Sequence, residues 1–383
     1  MGNGYRVGLV VAGQIAMGIL MERHYRALPR KGDDGVPRAI GGGSHVRAER
    51  AKALDCGSTH STNPVSVAEG GSDRVSIVVP ARNEAKRLPE LLRSLCELDY
   101  PNVELLVVDD GSEDGTAEVA VAEGARVLRL EGPEPGWTGK AYACWRGAEA
   151  TRGEWILFSD ADTVHAPGSL DAALTTARER SADLVSFLTR QRCETFWERL
   201  LLPYAYALYF AGSGPGSAIA NGQYVLIRRD AYERLGGHSA VRGSVIEDVA
   251  LARVAAARGL RVVLARGEDE VSVRMYGGLA EIWEGMGKNA ARFVTVSPRS
   301  GAVTVLAGLL IGSALPLVPR AGWAGRAALF VAPALALAPW YRRFGVSPAM
   351  ALLHPLAATV FQVLSLDSIR KMVVGTPWKG RVY

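Results

Sequence analysis

Short apolar runs alternate with helical patterns through the middle of this 383-residue chain, from about residue 74 to residue 276. Strands are predicted at 75–79, 103–108, 126–130 and 154–159. Helical patterns lie between these runs. Such alternation is typical of a mainly parallel sheet that helices cover on both faces. The sequence therefore predicts an α/β fold for the central part of the chain.

Longer apolar stretches lie toward the two ends of the chain. Residues 7–21 precede a basic segment, and the stretches 303–318, 324–340 and 349–366 are nearly uncharged. Three such stretches in a row are rarely core helices, so we interpret them as transmembrane helices. The first stretch is short for a span and Gln14 weakens it, so a membrane anchor competes with a signal peptide. No small-x-small cleavage site follows it, which favours the anchor.

These patterns divide the chain into six segments. The predicted segments are an N-terminal anchor, a flexible linker, the α/β domain, an amphipathic interface helix, transmembrane helices and a basic tail, at 1–28, 29–73, 74–276, 277–300, 301–368 and 369–383. Lys and Arg after residue 21 predict a cytoplasmic α/β domain in a multi-pass protein of the cell membrane. The side of the basic tail stays open, because one C-terminal segment could lie in the interface or re-enter.

The net charge of +5 arises mainly beside the apolar stretches. This distribution favours contact with anionic lipid headgroups over nucleic acid, because no basic patch with interleaved aromatic residues occurs. We therefore predict membrane lipids as partners, and no nucleic acid.

Two acid pairs follow strands of the predicted sheet. Asp160 and Asp162 come directly after the apolar run 155–158, and Asp109 and Asp110 end an earlier strand. Ligands of α/β sheets bind beyond the carboxyl ends of the strands, so these acids are expected to share one pocket. Acids one residue apart can hold a divalent cation, which can bind a diphosphate. Because short acidic pairs are also common as solvated turns, the pair 160–162 alone is weak evidence.

The first strand ends in Pro80 and Ala81, with Glu84 following, instead of a glycine-rich turn. A dinucleotide cofactor is therefore not expected. The acids suit a ligand with hydroxyls, ring N–H donors and a metal-bound diphosphate. These groups together describe a nucleotide sugar.

Four motifs in order, at 77–84, 107–116, 160–162 and 247–248, resemble the GT-A fold of family 2 glycosyltransferases. Other motifs resemble the membrane-bound carotenoid-acid (4,4'-diaponeurosporenoate) glycosyltransferases, and they lie at 137–144, 236–238, 274–276 and 378–383. The resemblance implies a Rossmann-like GT-A domain and inverting transfer of one sugar. It implies glucose from UDP-glucose as the donor group and a carotenoid or carotenoid acid as the lipophilic acceptor.

The resemblance also implies roles for individual residues. Donor binding is expected of Pro80, Ala81, Glu84, Asp109, Asp110, Lys140 and Asp160. Asp162, together with Asp160, is expected to bind Mg²⁺ or Mn²⁺. Asp248, next to Glu247, is expected to deprotonate the acceptor. The plain structural alternatives are a strand-ending turn, helix-capping acids and an exposed lysine.

Two further segments suggest contact with the acceptor or the membrane interface. The segment 196–210 is rich in aromatic residues, and apolar residues recur at helical spacing over 279–293. Both patterns fit amphipathic helices, packed either on the core or at the headgroup level. The acceptor or interface residues predicted here and in the basic tail are Trp197, Tyr204, Trp283, Trp378, Lys379 and Arg381. The run 288–293 departs from the Gln-x-x-Arg-Trp element of polymer synthases, which favours single transfer.

The chemical class of the acceptor is open. A carboxylic acid, with a pKa of roughly 4, is ionised at neutral pH and needs no base. Asp248 therefore favours a hydroxyl acceptor, such as a hopanoid, a hydroxylated carotenoid or diacylglycerol, over the carotenoid acid of the resemblance. GDP-mannose as donor, and a catalytically silent membrane protein that binds nucleotide sugar, also remain as alternatives.

Overall fold

The structure, a computed structural model, describes residues 3–31, 73–213, 218–312, 322–374, 377–378 and 381–382. Most of the predicted linker and Lys379 lie outside these residues. The chain divides into two compact units, which are described separately. The sheet unit comprises Pro29–Arg190 and Ala218–Val273, and the terminal unit comprises Met1–Leu28, Gln191–Ser217 and Arg274–Tyr383.

The described residues form short strands and helices of mixed length. The strands are β1 Val75–Ala81, β2 Val103–Asp110, β3 Arg126–Leu130, β4 Trp155–Ser159, β5 Thr163–His165, β6 Leu184–Leu188, β7 Arg190–Gln191, β8 Tyr224–Arg228, β9 Val262–Arg266, β10 Val271–Val273, β11 Pro377–Trp378 and β12 Arg381–Val382. The α-helices are α1 Asn3–Arg26, α2 Leu88–Cys96, α3 Thr116–Ala122, α4 Gly139–Glu149, α5 Ser169–Glu179, α6 Phe196–Gly212, α7 Arg229–Arg234, α8 Glu247–Ala257, α9 Leu279–Val296, α10 Pro298–Gly312, α11 Trp323–Arg343 and α12 His354–Val374. Two 3₁₀ helices are Gly237–Val241 and Pro348–Leu353.

The main sheet of the sheet unit has the strand order β3-β2-β1-β4-β8-β6-β9 in the described residues. Only β8 runs antiparallel to its neighbours β4 and β6, so the predicted mainly parallel sheet is confirmed. β1 lies between β2 and β4, with Ala81 opposite Asp109 and Val78 opposite Phe158. The carboxyl ends of β2 and β4 therefore lie at the same edge of the sheet, on either side of β1.

Both faces of the sheet are covered, which explains why its central strands read as continuous apolar runs. Ile77 of β1 belongs to the apolar cluster that includes residues of α2 and α5. Val78 points the other way, into the cluster with residues of α4 and α8. α4 approaches β1 closely at Gly147, where an added Cβ would lie 2.3 Å from Val78 Cγ1. This close contact fixes the helix that carries Lys140.

The terminal unit contains long apolar helices. Among the described residues, two helical segments are long and apolar enough to cross a membrane, Gly4–Arg26 and Pro348–Val374. The predicted stretch 324–340 forms α11, and the described part of 303–318 lies in the 15-residue α10. Two candidate spans support membrane association only weakly, because core helices and signal sequences have the same length and composition. Multi-pass insertion stays a prediction.

Gln14, the polar residue that interrupts the first apolar stretch, is fully buried in the terminal unit. Its side-chain amide donates to the carbonyl oxygens of Leu310, at 2.9 Å, and Leu329, at 3.4 Å. Amide side chains commonly join helices in this way in apolar surroundings. Gln14 therefore links α1 to α10 and α11.

Candidate active site

The end of β2 carries the first acid pair, and both acids are buried. Asp109 Oδ1 accepts a hydrogen bond from the backbone N–H of Ser112 at 3.2 Å. The guanidinium of Arg82 donates to the carbonyl oxygen of Asp110 at 2.7 Å. The chain then turns at Gly111, whose φ of +67° favours glycine. Asp109 thus helps to shape its own turn, and its donor-binding role stays a prediction.

The loop after β1 is held by Asp114 and Thr116, which lie at the start of α3. The backbone N–H of Glu84 donates to Thr116 Oγ1 at 2.8 Å, and that of Ala85 donates to Asp114 Oδ2 at 3.0 Å. Asp114 Oδ1 also accepts from the backbone N–H of Thr116 at 3.1 Å. Pro80 and Ala81 are the last residues of β1, so they lie at the start of this braced loop.

Lys140, the second residue of α4, joins two acids from different elements. Its Nζ lies 2.6 Å from Asp160 Oδ1, beyond the end of β4, and 3.0 Å from Glu247 Oε1 at the start of α8. Burial lowers the pKa of Lys140, but the charges of Asp160, Glu247 and Asp248 outweigh it and hold the pKa well above its usual value. Lys140 therefore remains a cation at neutral pH.

The loop before α8 is tied to the start of α4, which explains how these acids meet. The backbone N–H of Thr138 donates to the carbonyl oxygen of Arg242 at 2.7 Å, and Thr138 Oγ1 donates to that of Ser244 at 3.2 Å. Thr138 directly precedes α4, while Arg242 and Ser244 lead into α8. Acids far apart in sequence are therefore brought to one ammonium group.

Asp248 is held by backbone donors. Its Oδ2 accepts from the N–H of Gly222 at 2.6 Å, and its Oδ1 accepts from the N–H of Val249 at 2.8 Å. Burial, followed by the charge of Glu247, raises the pKa of Asp248 to about 6. A carboxylate with this pKa is largely ionised at neutral pH and can accept a proton.

Asp162 has different surroundings. Its Oδ1 atom is buried and has no hydrogen-bond partner within the part of the chain that the structure describes. Burial, then the charges of Asp160 and Glu84, raises the pKa of Asp162 to about 7. We call Lys140, Asp160, Asp162, Glu247 and Asp248 the carboxylate cluster.

The carboxylate cluster fits a divalent cation that the substrate helps to hold. Among described residues, no group of three or more His, Cys, Asp or Glu is arranged as a complete metal site. Mg²⁺, however, is usually held by only one or two carboxylates together with waters and substrate phosphates. The buried, unpartnered oxygen of Asp162 and its raised pKa are both features that a bound cation would relieve.

Two residues of this region were not anticipated from the sequence. Gly222 donates its backbone N–H to Asp248. Arg87 pairs with Glu84 at 3.6 Å, and the charge of Arg87 lowers the pKa of Asp162. A glycine before a strand and an arginine before a helix are ordinary in sequence, so neither carried a signal.

The predicted acceptor or interface residues lie in the terminal unit. Tyr204 of α6 is buried and packs edge-on against Phe361, which fits a core role. Trp197 is half-buried beside Phe196. Trp378 and Arg381 are paired across the short β11–β12 ladder. No contact among the residues that the structure describes brings these side chains into one site.

Trp283 of α9 is the predicted interface residue with the most distinctive environment. Its Nε1 donates to Asp367 Oδ2 at 2.9 Å. The same carboxylate also pairs with Arg370 at 2.7 Å and Lys371 at 2.9 Å. These side chains border a groove of about 610 Å³, which is lined by Trp283, Val363, Leu366, Asp367, Arg370 and Lys371. The groove combines apolar walls with two cations and one anion.

Comparisons with known proteins agree with the motifs. Residues 76–236 match the family described as Glycosyl transferase family 2. The 4,4'-diaponeurosporenoate glycosyltransferase of Staphylococcus haemolyticus (strain JCSC1435) is 31% identical over 229 residues, which are 57% of this chain and 61% of the relative. That match thus spans less than two thirds of the relative. The protein of the same name from Staphylococcus aureus (strain MRSA252) is 28% identical over 81% of this chain and 88% of the relative.

The fold can also be compared with a solved structure. The mannosyltransferase PcManGT from Pyrobaculum calidifontis, solved with GDP-Man and Mn²⁺, has a TM-score of 0.51 and 21% identity. The similarity covers 79% of this chain and 91% of that structure. This likeness supports the GT-A fold alone. The resemblance stated from the motifs is confirmed by the family match and by the named relatives.

Proposed function

We propose, from the match of residues 76–236 to Glycosyl transferase family 2 and from the named relatives, that this chain transfers a single hexose from a nucleotide sugar to a lipophilic acceptor. The observation that carries this proposal is the contact of Lys140 with both Asp160 and Glu247. Asp160 is one of the residues predicted to bind the donor and the metal ion, and Glu247 adjoins the predicted base Asp248. The donor-binding residues and the proposed base would therefore lie on either side of the Lys140 ammonium.

The donor half of the site is assigned to the ends of β1, β2 and β4. Asp109 and Asp110 would accept the ring N–H of the base, while Pro80, Ala81 and Glu84 would border the base and ribose. Lys140 would pair with the diphosphate, which is the anion that a lysine near a helix start is suited to bind. UDP-glucose is the proposed donor, and it rests on the family resemblance.

Asp162, with Asp160, would hold Mg²⁺ or Mn²⁺. A bound cation would neutralise the charge of the departing nucleoside diphosphate. The unpartnered Oδ1 of Asp162 supports this assignment, as does its pKa, which burial and then the charges of Asp160 and Glu84 raise to about 7. The mannosyltransferase PcManGT was solved with Mn²⁺ bound, which describes that protein.

Asp248 would take the proton of an acceptor hydroxyl as the hydroxyl oxygen attacks the anomeric carbon. The C–O bond to the acceptor forms on the side opposite the leaving diphosphate, so the configuration inverts. General-base assistance of this kind contributes about 10²- to 10⁴-fold. The pKa of Asp248, raised to about 6, keeps it ionised yet basic enough for this task.

The acceptor class is proposed from two lines of support. The names of the relatives concern a carotenoid acid, 4,4'-diaponeurosporenoate, so a carotenoid or carotenoid acid is the first candidate. The raised pKa of Asp248 favours a second candidate, a lipid hydroxyl such as that of a hopanoid or diacylglycerol. The groove beside Trp283, with apolar walls and charged groups, is proposed as a contact surface for lipid.

The proposed location is the cell membrane, with multiple crossings and the catalytic domain in the cytoplasm. The two candidate spans support it together with the basic residues Arg23, His24 and Arg26 in the last turn of α1. Basic residues beside a span favour the cytoplasmic side.

The proposal is tested by incubating membranes that contain the chain with labelled UDP-glucose and identifying any labelled lipid by mass spectrometry. Purified protein is assayed in parallel for donor hydrolysis with and without Mn²⁺. We expect a singly glucosylated lipid and metal-dependent hydrolysis. If neither lipid nor hydrolysis is detected while the protein is folded, the transferase proposal fails. Comparing UDP-glucose with GDP-mannose identifies the donor.

A further inference from the structure

Gly222 lies in the turn before β8 and directly contacts the carboxylate cluster. Its N–H donates to Asp248 Oδ2 at 2.6 Å, and the residue is buried. A Cβ at this position would lie 2.9 Å from Asp248 Oδ2 and 2.9 Å from Lys140 Nζ. Real Cβ atoms essentially never come this close to their neighbours, so any other residue would displace one of the two groups.

The need for glycine at this position is spatial. Gly222 is not among the glycines with positive φ, so its backbone conformation is open to any residue. The neighbours that an added methyl group would meet are the charged ends of Lys140 and Asp248. Substitution therefore acts on the carboxylate cluster directly, while the backbone remains unstrained.

We propose that Gly222 is a positioning residue for the transfer reaction: its amide orients the Asp248 carboxylate, and its missing side chain leaves room for both that carboxylate and the Lys140 ammonium. This inference rests on the proposed function, because Asp248 is the assigned base. The amide fixes Oδ2 from one side, and Val249 fixes Oδ1 from the helix. The carboxylate is thus held at both oxygens by backbone groups.

Orientation of a base has a large effect on rate. A misplacement of about 1 Å can lower a rate by about 10²-fold, even when all reacting groups are present. An added methyl group at Gly222 forces a shift of the Asp248 carboxylate or of the Lys140 ammonium. The three atoms nearest to this methyl group belong to Asp248 and Lys140, and none belongs to the donor-binding acids at the end of β2.

The test compares Gly222→Ala with Gly168→Ala in the full chain. Gly168 belongs to the same unit, has a φ of −88°, and no heavy atom of a described residue lies within 4 Å of its added Cβ. For Gly222→Ala we expect kcat to fall by about 10²-fold with the Tm little changed, and we expect the KM for UDP-glucose to rise only if the Lys140 ammonium is the group that moves. Gly168→Ala should match the wild type in all three quantities.

Each result has a defined meaning. If Gly222→Ala keeps the wild-type kcat, the positioning role is wrong. If kcat, KM and Tm all deteriorate together, the residue is needed for folding of the turn and the positioning role is equally wrong. If the wild type itself neither transfers sugar nor hydrolyses the donor, the proposed function fails. This outcome is distinct from failure of the positioning role, because it is measured on the wild type alone.

Discussion

Asp248 and Asp162 are two carboxylates of one cluster whose pKa values are both raised, yet their surroundings differ. Asp248 accepts two backbone hydrogen bonds, one at each oxygen. Asp162 has a buried Oδ1 without a partner among the residues described. Hydrogen bonds fix the direction of a carboxylate, whereas an unpartnered oxygen in a buried place favours an added cation. We infer that Asp248 is set for proton transfer and Asp162 for a metal ion.

The largest effect is expected from Asp162→Asn. If the carboxylate holds the cation that neutralises the leaving diphosphate, transfer should fall by about 10³-fold or more. The variant should remain folded, because it removes a carboxylate whose charge is poorly compensated. Steady-state kinetics and thermal unfolding with and without Mn²⁺ check this. Near-normal turnover in the variant would remove the metal role.

Asp248→Asn should have the next largest effect, and its size should depend on the acceptor. On a lipid hydroxyl, loss of the base should lower kcat by about 10²- to 10⁴-fold. On a carotenoid acid, which is already ionised, the loss should be small. Rates are measured on both acceptors with the same protein preparation. An equal, large loss on both would contradict the distinction between them.

Lys140→Gln tests the contact that joins the two halves of the cluster. Removing the cation leaves Asp160 and Glu247 without the ammonium that lies between them. We expect weaker UDP binding and a rate loss of about 10- to 10²-fold, with partial recovery in Lys140→Arg. Calorimetric titration with UDP separates binding from rate. Arg93→Gln, which removes an exposed salt bridge with Glu123, serves as the charge-matched control.

The effect of pH on catalysis should follow the raised pKa of Asp248. Activity should fall as the pH drops below about 6, because protonated Asp248 cannot accept a proton. This acidic limb should be absent from the residual activity of Asp248→Asn. A pH–rate profile of kcat for both proteins checks it. A limb that persists unchanged in the variant would assign the titration to another group.

The effect of pH on stability should be the smallest, and alongside Asp248 it should have a contribution from Asp162. Its folded pKa of about 7 exceeds the ordinary value of 3.8. The folded state therefore holds more protons between these values, so the metal-free protein should lose stability as the pH rises through this window. Mn²⁺ should raise Tm more at about pH 8 than at about pH 5, because the cation binds the ionised form. Equal shifts at both pH values, or the same shifts in Asp162→Asn, would contradict this.

Much of the fold followed from local pattern. Apolar runs predicted β1, β2 and β4, because a strand buried on both faces must be apolar along its length, and acids end β2 and follow β4. The antiparallel β8 was not predicted, since a short apolar run carries no information about its direction. The two-unit division was also not visible, because 191–217 lies inside the predicted α/β segment in sequence yet belongs to the terminal unit.

The sequence by itself determined which acids follow which strands and that Lys140 lies near the start of a helix, because residue type and periodicity are local properties. Only the tertiary structure decided that Lys140 reaches Asp160 and Glu247 together, and that a plain glycine at position 222 holds Asp248. Those contacts depend on how helices approach the sheet edge. Distances of a few ångströms between residues far apart in the chain are set by packing, which no local pattern records.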